Sequence, residues 1–429
     1  VSARLAPVAY ARPITSAAGV DRWVLAWQQS LAVVCVVVLF MELPLYAHVL
    51  RPAFPPKLAY FALAAAAAPV LLARFDEFVD WLAQPFAIWA ACFALLHLLH
   101  VIANTPGGDP VVVNSLWMRI QMCVLAVILG FVLTSVPPST FLWAFPIVAM
   151  LIAGLLVLDF LRPWTLYPRG TEGVIPGRPA ATLLNANKAG EAVMLAALFG
   201  LAALPRRLRP VLLAVAAVGV VATFGRNAML AWLVVVAVLV VRRAVSGAGA
   251  AMLLGAGVAG GMLAGALVEF ASNAPDLWRA ADDLAARLGF FTAGQVGDHS
   301  ASERVTVALA ALQLFLEHPL LGAGAGATYL WSLPVSPHNQ PLALAADFGL
   351  VGLAAWGWML WILWRGRFFA ERALQIAGAI LFAFYSMFAH TLFDFMYWQL
   401  ALAMLASHAR PPAGLASRVR PAARPVVRR

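Results

Sequence analysis

WVLAWQQSLAVVCVVVLF, residues 23–40, contains no charged side chain and approaches the length of about 20 apolar residues that a helix needs to cross a bilayer. It lacks the short apolar core and small-residue cleavage site of a signal peptide, so it reads as a retained span and no targeting peptide is expected. Runs of the same kind, each closed by Arg, Pro or a polar cluster, recur along most of the chain. The expected spans are 23–41, 58–74, 86–103, 115–135, 140–160, 189–204, 210–224, 227–241, 249–269, 339–363, 374–392 and 395–408. The fold class is therefore all-α, a polytopic integral membrane protein with about twelve transmembrane helices and one large helical outer loop.

Composition agrees with that reading. Of 429 residues, 63% are hydrophobic and 11% charged, against roughly 25% charged in soluble domains, and the mean hydropathy is +0.87. A net charge of +10 raises the question of nucleic acid, because clustered cations bind phosphate backbones. Here the arginines are dispersed between apolar runs, which is the pattern of membrane topology, and no nucleic-acid partner is expected. Cys35, Cys92 and Cys123 fall inside apolar runs without CxxC spacing, so they read as small buried hydrophobes, not as a zinc site or a disulfide framework.

An even number of spans puts both termini on one side, and the basic residues choose the side. Arg4, Arg12, Arg22, Arg74, Arg206, Arg207, Arg209, Arg242, Arg243, Arg365, Arg367, Arg372 and the arginines from Arg410 to Arg429 all fall in cytoplasmic segments if the N-terminus is inside; that is 18 of the 29 basic residues. The expected organisation is a cytoplasmic N-terminus over 1–22, nine spans over 23–269, an outer loop over 270–337, three spans over 338–408 and a basic cytoplasmic tail over 409–429. The tail mixes Pro, Ala and Arg and is expected to be disordered. Its arginines suit contact with anionic membrane lipids and topological retention equally.

Two outer segments exceed simple turns: Leu161 to Lys188, and Phe270 to Pro337. In the second, Ser300-Ala301-Ser302-Glu303 has capping-box spacing, and Val305, Ala308, Leu309, Leu312 and Leu316 form an apolar stripe at helical spacing until His318-Pro319 ends it. A second short helix is expected over Ala274 to Leu288, where Asp276, Asp282 and Asp283 alternate with Arg279 and Arg287.

The outer side also gathers polar residues that a simple anchor would not need. His338 and Asn339 precede a long helix whose Pro341 is tolerated in the first turn, and a helix start offers unpaired N–H groups to an anion. Histidine titrates near pH 6.5, so a positioned His338 can take a proton from a sugar hydroxyl; an interfacial residue capping local backbone would look the same. Arg226, in Thr223-Phe224-Gly225-Arg226-Asn227, is a cation beside hydrocarbon on the side that topology disfavours. That favours a ligand anion such as phosphate, with snorkelling to headgroups as the other reading. Arg304 has two readings as well, a ligand contact or a surface pair with Glu303 or an aspartate. Asn185, Asn187 and Lys188 open the sixth span, and His390 and Asp394 flank the turn between the last two, where they support a site or simply pair.

Other features point elsewhere. Gly322-Ala323-Gly324-Ala325-Gly326 lacks the strand, lysine and spacing of a phosphate loop and reads as a flexible hinge. His97 and His100 read as satisfied packing residues inside a span. There is no DxD and no HExxH, so neither a metal and nucleotide-sugar transferase nor a zinc peptidase is expected, and no metal or other cofactor is assigned.

Leu184-Asn185-Ala186-Asn187-Lys188, Phe224-Gly225-Arg226, Ser302-Glu303-Arg304 with Glu317-His318-Pro319-Leu320-Leu321-Gly322, and His338-Asn339-Gln340-Pro341-Leu342 running on to Asp347-Phe348-Gly349-Leu350-Val351-Gly352 occur in that order over 180–394. This arrangement resembles the O-antigen ligase and polymerase superfamily of bacterial envelope glycan assembly, and within it the lipopolysaccharide O-antigen ligases. The resemblance implies a metal-independent, inverting transfer of polysaccharide from undecaprenyl diphosphate to a sugar of lipid A-core. It implies a periplasmic active site in a Gram-negative inner membrane. His338 would activate the acceptor hydroxyl, Arg226 and Arg304 would bind the diphosphate, and Asn187, Lys188, Asn339, His390 and Asp394 would contact substrate. Family members often carry Ser before the first arginine, where this chain has Gly225.

Two other readings stay open. An O-antigen polymerase, or a relative that transfers the glycan to protein, would use the same donor and another acceptor. A flippase or transporter of lipid-linked glycan would place charged residues deep in several spans, whereas most ionisable residues here lie at span ends.

Overall fold

The computed structural model describes residues 22–104, 109–175, 177–273, 285, 299–331, 333 and 336–407. The expected helix over Ala274 to Leu288, most of the N-terminal segment and the basic tail lie outside the described residues. A hydrocarbon solvent obliges each backbone N–H and C=O to find its partner within the protein, and the elements of the described chain are helices. In order they are α1 (Arg22–Phe40), α2 (Leu43–Leu50), α3 (Pro56–Ala73), α4 (Phe75–Leu82), α5 (Pro85–Asn104), α6 (Pro110–Thr134), α7 (Ala144–Leu161) and α8 (Ala186–Ala203). There follow α9 (Arg209–Ala222), α10 (Arg226–Val241), α11 (Gly247–Asn273), α12 (His299–Glu317), α13 (Ala327–Leu330), α14 (Gln340–Arg365), α15 (Arg372–Ser386) and α16 (Met396–Ala406).

Each of the twelve expected spans coincides with a helix, but they are not equal. Seven, α1, α3, α5, α6, α7, α11 and α14, are long and apolar enough to cross a membrane. Four more, α9, α10, α15 and α16, are apolar but only 11–16 residues long. The remaining one, α8, opens on Asn187, Lys188 and Glu191, which dilute its apolar content. The span expected over 374–392 leaves the helix at Ser386, so His390 sits in a turn.

The centre of the bundle is made by α8 and α16. All of Met396–Ala406 is buried, as is nearly all of α8, and such helices are apolar around their circumference because protein surrounds them. Outer helices show the reverse, with Leu72, Leu254, Val258 and Met262 exposed where hydrocarbon would be the neighbour. Cys92 belongs to that exposed surface, which corrects the expectation that all three cysteines are buried; Cys35 and Cys123 are.

Polar contacts separate the two ends of the bundle. At one end Glu371 pairs with Arg206 at 3.1 Å and Arg209 at 2.7 Å, Arg209 also donates to Ala244 O, and the Arg367 N–H donates to Ser407 O. The loops around Arg206, Arg242 and Arg367 are therefore neighbours. His338, His390 and the start of α8 lie at the opposite end.

At the site end the loop after α12 crosses a break in α14. Gly349 takes φ 63° and ψ −146°, which interrupts the helix, and its neighbour Leu350 donates to Pro319 O. Ala323 and Gly324 donate to Ala346 O and Asp347 O across the same crossing. A Cβ on Gly322 would lie 2.4 Å from the Asp347 carbonyl, so glycine is needed there for close approach as well as for its φ of 75°. The run over 322–326 is thus pinned backbone and not the hinge its composition indicated.

Two further readings are corrected in α12. Its described residues start at His299, so Ser300 lies within the helix instead of capping it. The stripe of Val305, Leu309, Leu312 and Leu316 faces outward, Val305 and Leu316 being over 60% exposed, while Val307 and Ala311 turn inward. Helical spacing identifies an apolar face, but that face need not be the one packed on the protein's core.

Candidate active site

Three segments that are distant in sequence carry the polar cluster, and each is held by a bond its sequence provides. Asn339 is the N-cap of α14, its side chain accepting from Leu342 N at 3.0 Å. Gln340, next in the chain and buried, accepts from Leu392 N at 3.0 Å and so ties the His338 segment to the turn that carries His390 and Asp394. Asp347 accepts from Thr328 N and Thr328 Oγ1, both at 3.1 Å, and fixes the short α13 with its Tyr329.

Within this frame the His338 and His390 rings meet edge to face with centroids 5.4 Å apart, and Tyr329 covers His390 at 6.3 Å. Asp394 is bound in fork geometry by Arg119 of α6, Nε to Oδ1 at 2.6 Å and Nη2 to Oδ2 at 3.2 Å. The same Nη2 donates to the Tyr329 hydroxyl at 3.3 Å. Arg119 lies inside an expected span and was not singled out by sequence. Its signal was available, since an arginine within an apolar run needs a partner, and Asp394 is that partner.

Lys188 approaches from α8. Its ammonium lies 3.3 Å from both carboxylate oxygens of Glu191, which Tyr397 and Trp398 also bond. Asn185 caps this helix through Asn187 N, and the Asn187 side chain accepts from Arg178 at 3.4 Å. A fourth acid, Glu42, stands between α1 and α2 at φ 48°. Burial pushes its carboxyl up to about 8, against a hydrogen bond from Tyr60 and the charge of Lys188.

Electrostatics couples these groups. Burial, followed by the charges of Arg304 and Lys188, brings His338 down to about 4, and burial with the neighbouring His338 brings His390 to about 3. Both imidazoles are uncharged at neutral pH and keep a lone pair that can accept a proton. Burial opposes ionisation of Asp394, but the Arg119 guanidinium outweighs it and holds the carboxyl below its usual range.

Of the residues expected from sequence, His338, Arg304, Lys188, His390 and Asp394 are thus mutually coupled, with Asn187 and Asn339 adjacent to them in the chain. Arg226 stands on the first residue of α10, whose Ala228 packs against α8: a Cβ on Gly190 would lie 2.6 Å from it. The turn before Arg226 is tight, Phe224 at φ 48°, and a Cβ at Gly225 would meet Thr223 Oγ1 at 3.0 Å, so the local packing suits glycine. His97 donates to Phe93 O through Nδ1 at 2.7 Å, while its Nε2 has no hydrogen-bond partner among the described residues, so it is only half satisfied. His100 accepts from Ala325 N at 3.4 Å. Among the described residues no group of three or more His, Cys, Asp or Glu side chains is arranged to hold a metal ion.

A search of curated proteins finds no match to this chain. Residues 211–357 match the family model described as O-antigen ligase. That segment, about a third of the chain, contains Arg226, Arg304, His338 and the kinked start of α14, and the match supports membership of the O-antigen ligase and polymerase superfamily.

Proposed function

We propose that this protein is an O-antigen ligase, which transfers polysaccharide from undecaprenyl diphosphate to a terminal sugar of lipid A-core. The observation that carries the reading is the coupling of one uncharged imidazole, His338, to two cations from separate elements, Arg304 and Lys188. The acceptor hydroxyl attacks the anomeric carbon of the donor, and its proton passes to His338. The bond from that carbon to the diphosphate oxygen breaks, and the electron pair leaves with the diphosphate. Negative charge develops on the leaving oxygen, where fixed cations contribute most. Arg304, Lys188 and Arg226 supply them, which makes the transfer independent of metal, and attack opposite the leaving group inverts the anomeric centre.

The site faces the periplasm in this reading. The arginine-rich loops around Arg206, Arg242 and Arg367 cluster at the other end of the bundle, which supports a cytoplasmic position for that end by the positive-inside rule. Arg119, the buried cation inside α6, is paired with Asp394 at the site end, which supports an enzyme over a transporter.

The test incubates the purified protein with lipid-linked glycan and lipid A-core, without ATP or added metal. Ligated product is expected, and His338→Ala should slow its formation by about 10²–10⁴-fold. Donor-to-donor chain growth would assign a polymerase instead, and wild-type ligation by a well-folded His338→Ala protein would remove the base.

A further inference from the structure

Arg119 is the buried cation that a base and a set of phosphate-binding residues leave unused. It is 6% exposed, enters from α6, and its fork takes both oxygens of Asp394 and the Tyr329 hydroxyl. Asp394 belongs to the same turn as His390, and the His390 ring meets both the Tyr329 ring and the His338 ring. One guanidinium therefore joins three chain segments around the residue that packs on the base.

We propose that Arg119 is a positioning residue for the transfer: by matching the charge of Asp394 and bonding Tyr329, it keeps His390 fixed and uncharged beside His338. This inference rests on His338 acting as the base. The groups that face His390 are His338 from its loop, Tyr329 from α13, Lys188 from α8, Arg119 from α6 and Asp394 from its own turn, with His97 of α5 acting on Asp394. Remove the guanidinium, and Asp394 is a buried carboxylate without a counter-charge. The adjacent proton acceptor that can supply one is His390, against the opposing charge of Lys188. An imidazolium at that position, its ring 5.4 Å from that of His338, disfavours the proton transfer that ligation needs. Raising the pH strips that proton and should restore the reaction.

The experiment measures ligation by the full-length protein between about pH 5.5 and pH 9, the range that brackets an ordinary imidazole. Arg119→Gln should lose about 100-fold at neutral pH and recover much of it at the alkaline end. Arg119→Lys should keep the wild-type pH midpoint, and so, whatever its absolute rate, should the neutral pair Arg119→Gln with Asp394→Asn, which has no carboxylate left to charge His390. A general loosening of the fold would lower the rate equally at every pH, and a profile for Arg119→Gln parallel to wild type overturns the proposal. Should Arg119→Gln fail to fold, the neutral pair decides: a wild-type midpoint supports it, an alkaline shift overturns it. His338→Ala separates the two readings. If that protein ligates normally, the base itself is wrong; if it is inactive while Arg119→Gln runs parallel to wild type, only the role of Arg119 is.

Discussion

Lys188 and Glu191, one turn apart on α8, form a buried ion pair with the ammonium 3.3 Å from both carboxylate oxygens and 4.5 Å over the ring of Phe395. Glu191 also takes Tyr397 Oη at 3.1 Å and Trp398 Nε1 at 2.8 Å, so a single carboxylate holds a cation at the site and stitches α8 to α16. Removing one partner of a buried pair typically costs about 3–5 kcal/mol, because the other is left uncompensated. Glu191→Ala should therefore lower the unfolding temperature in detergent markedly, and Glu191→Gln, which keeps an acceptor for the two donors, should lower it less. Equal stability of Glu191→Ala and wild type would show that the pair is not structural.

The diphosphate reading of the arginines gives a different signature. Arg226→Ala and Arg304→Ala should each reduce kcat/KM for the lipid-linked donor by about 10²–10³-fold, the usual effect of deleting one group that stabilises developing negative charge. Lysine at either position should recover only part of this, since a point charge cannot reproduce the guanidinium fork. Donor titration at saturating acceptor measures it. An unchanged donor dependence in Arg226→Ala would return that residue to the headgroup contact its sequence position also allows.

A base whose pKa is lowered by burial and then by the cations beside it should change when those cations bind an anion. Burial, then the charges of Arg304 and Lys188, hold His338 at about 4, so it is unprotonated through the neutral range. Donor diphosphate offsets the two positive charges, and the pKa of His338 should rise toward its ordinary value near 6.5. A base works in its unprotonated form, so activity falls as pH drops through its pKa. The acid limb of kcat/KM, which reports free enzyme, should therefore lie near pH 4, and that of kcat, which reports the loaded enzyme, should lie higher. Coincident limbs would mean that donor binds away from Arg304 and Lys188.

Much of this arrangement was legible in the chain because hydrocarbon imposes a simple rule on sequence. Apolar length located the helices, and basic loops marked one end, as the contacts of Arg206, Arg209 and Arg367 bear out. His338, Arg304 and Lys188 stood out as polar residues at helix starts. What escaped is of another kind. Gln340, Glu191 and Arg119 bond residues 52, 207 and 275 positions away, and spacing along a chain carries no trace of such partners. The stripe on α12 escaped for a related reason: periodicity shows that Val305, Leu309 and Leu316 share a face, but not whether that face meets protein or hydrocarbon. Gly322-Ala323-Gly324-Ala325-Gly326 was misread because glycine serves close approach and flexibility alike.

That glycine run offers a test of the crossing on which the site is built. Gly322 and Gly324 both have positive φ, 75° and 106°, so alanine is strained at either, by about 1–2 kcal/mol for an L residue forced into the left-handed region. They differ in what the new methyl would meet. At Gly322 it lies 2.4 Å from the Asp347 carbonyl and the Phe348 N, whereas at Gly324 nothing lies within 4 Å. Gly349, on the other chain of the crossing, is like Gly322, with Leu320 O at 2.5 Å. Gly322→Ala and Gly349→Ala should therefore cost several kcal/mol more than Gly324→Ala, because backbone must move apart. At Gly322 the displaced backbone is that of Asp347, whose carboxylate holds Thr328, so Gly322→Ala should also lose ligation in the fraction that still folds. Thermal unfolding followed by size exclusion, with activity on the monodisperse fraction, measures both effects. Equal losses at Gly322 and Gly324 would mean that only φ matters and that the two chains do not cross in contact.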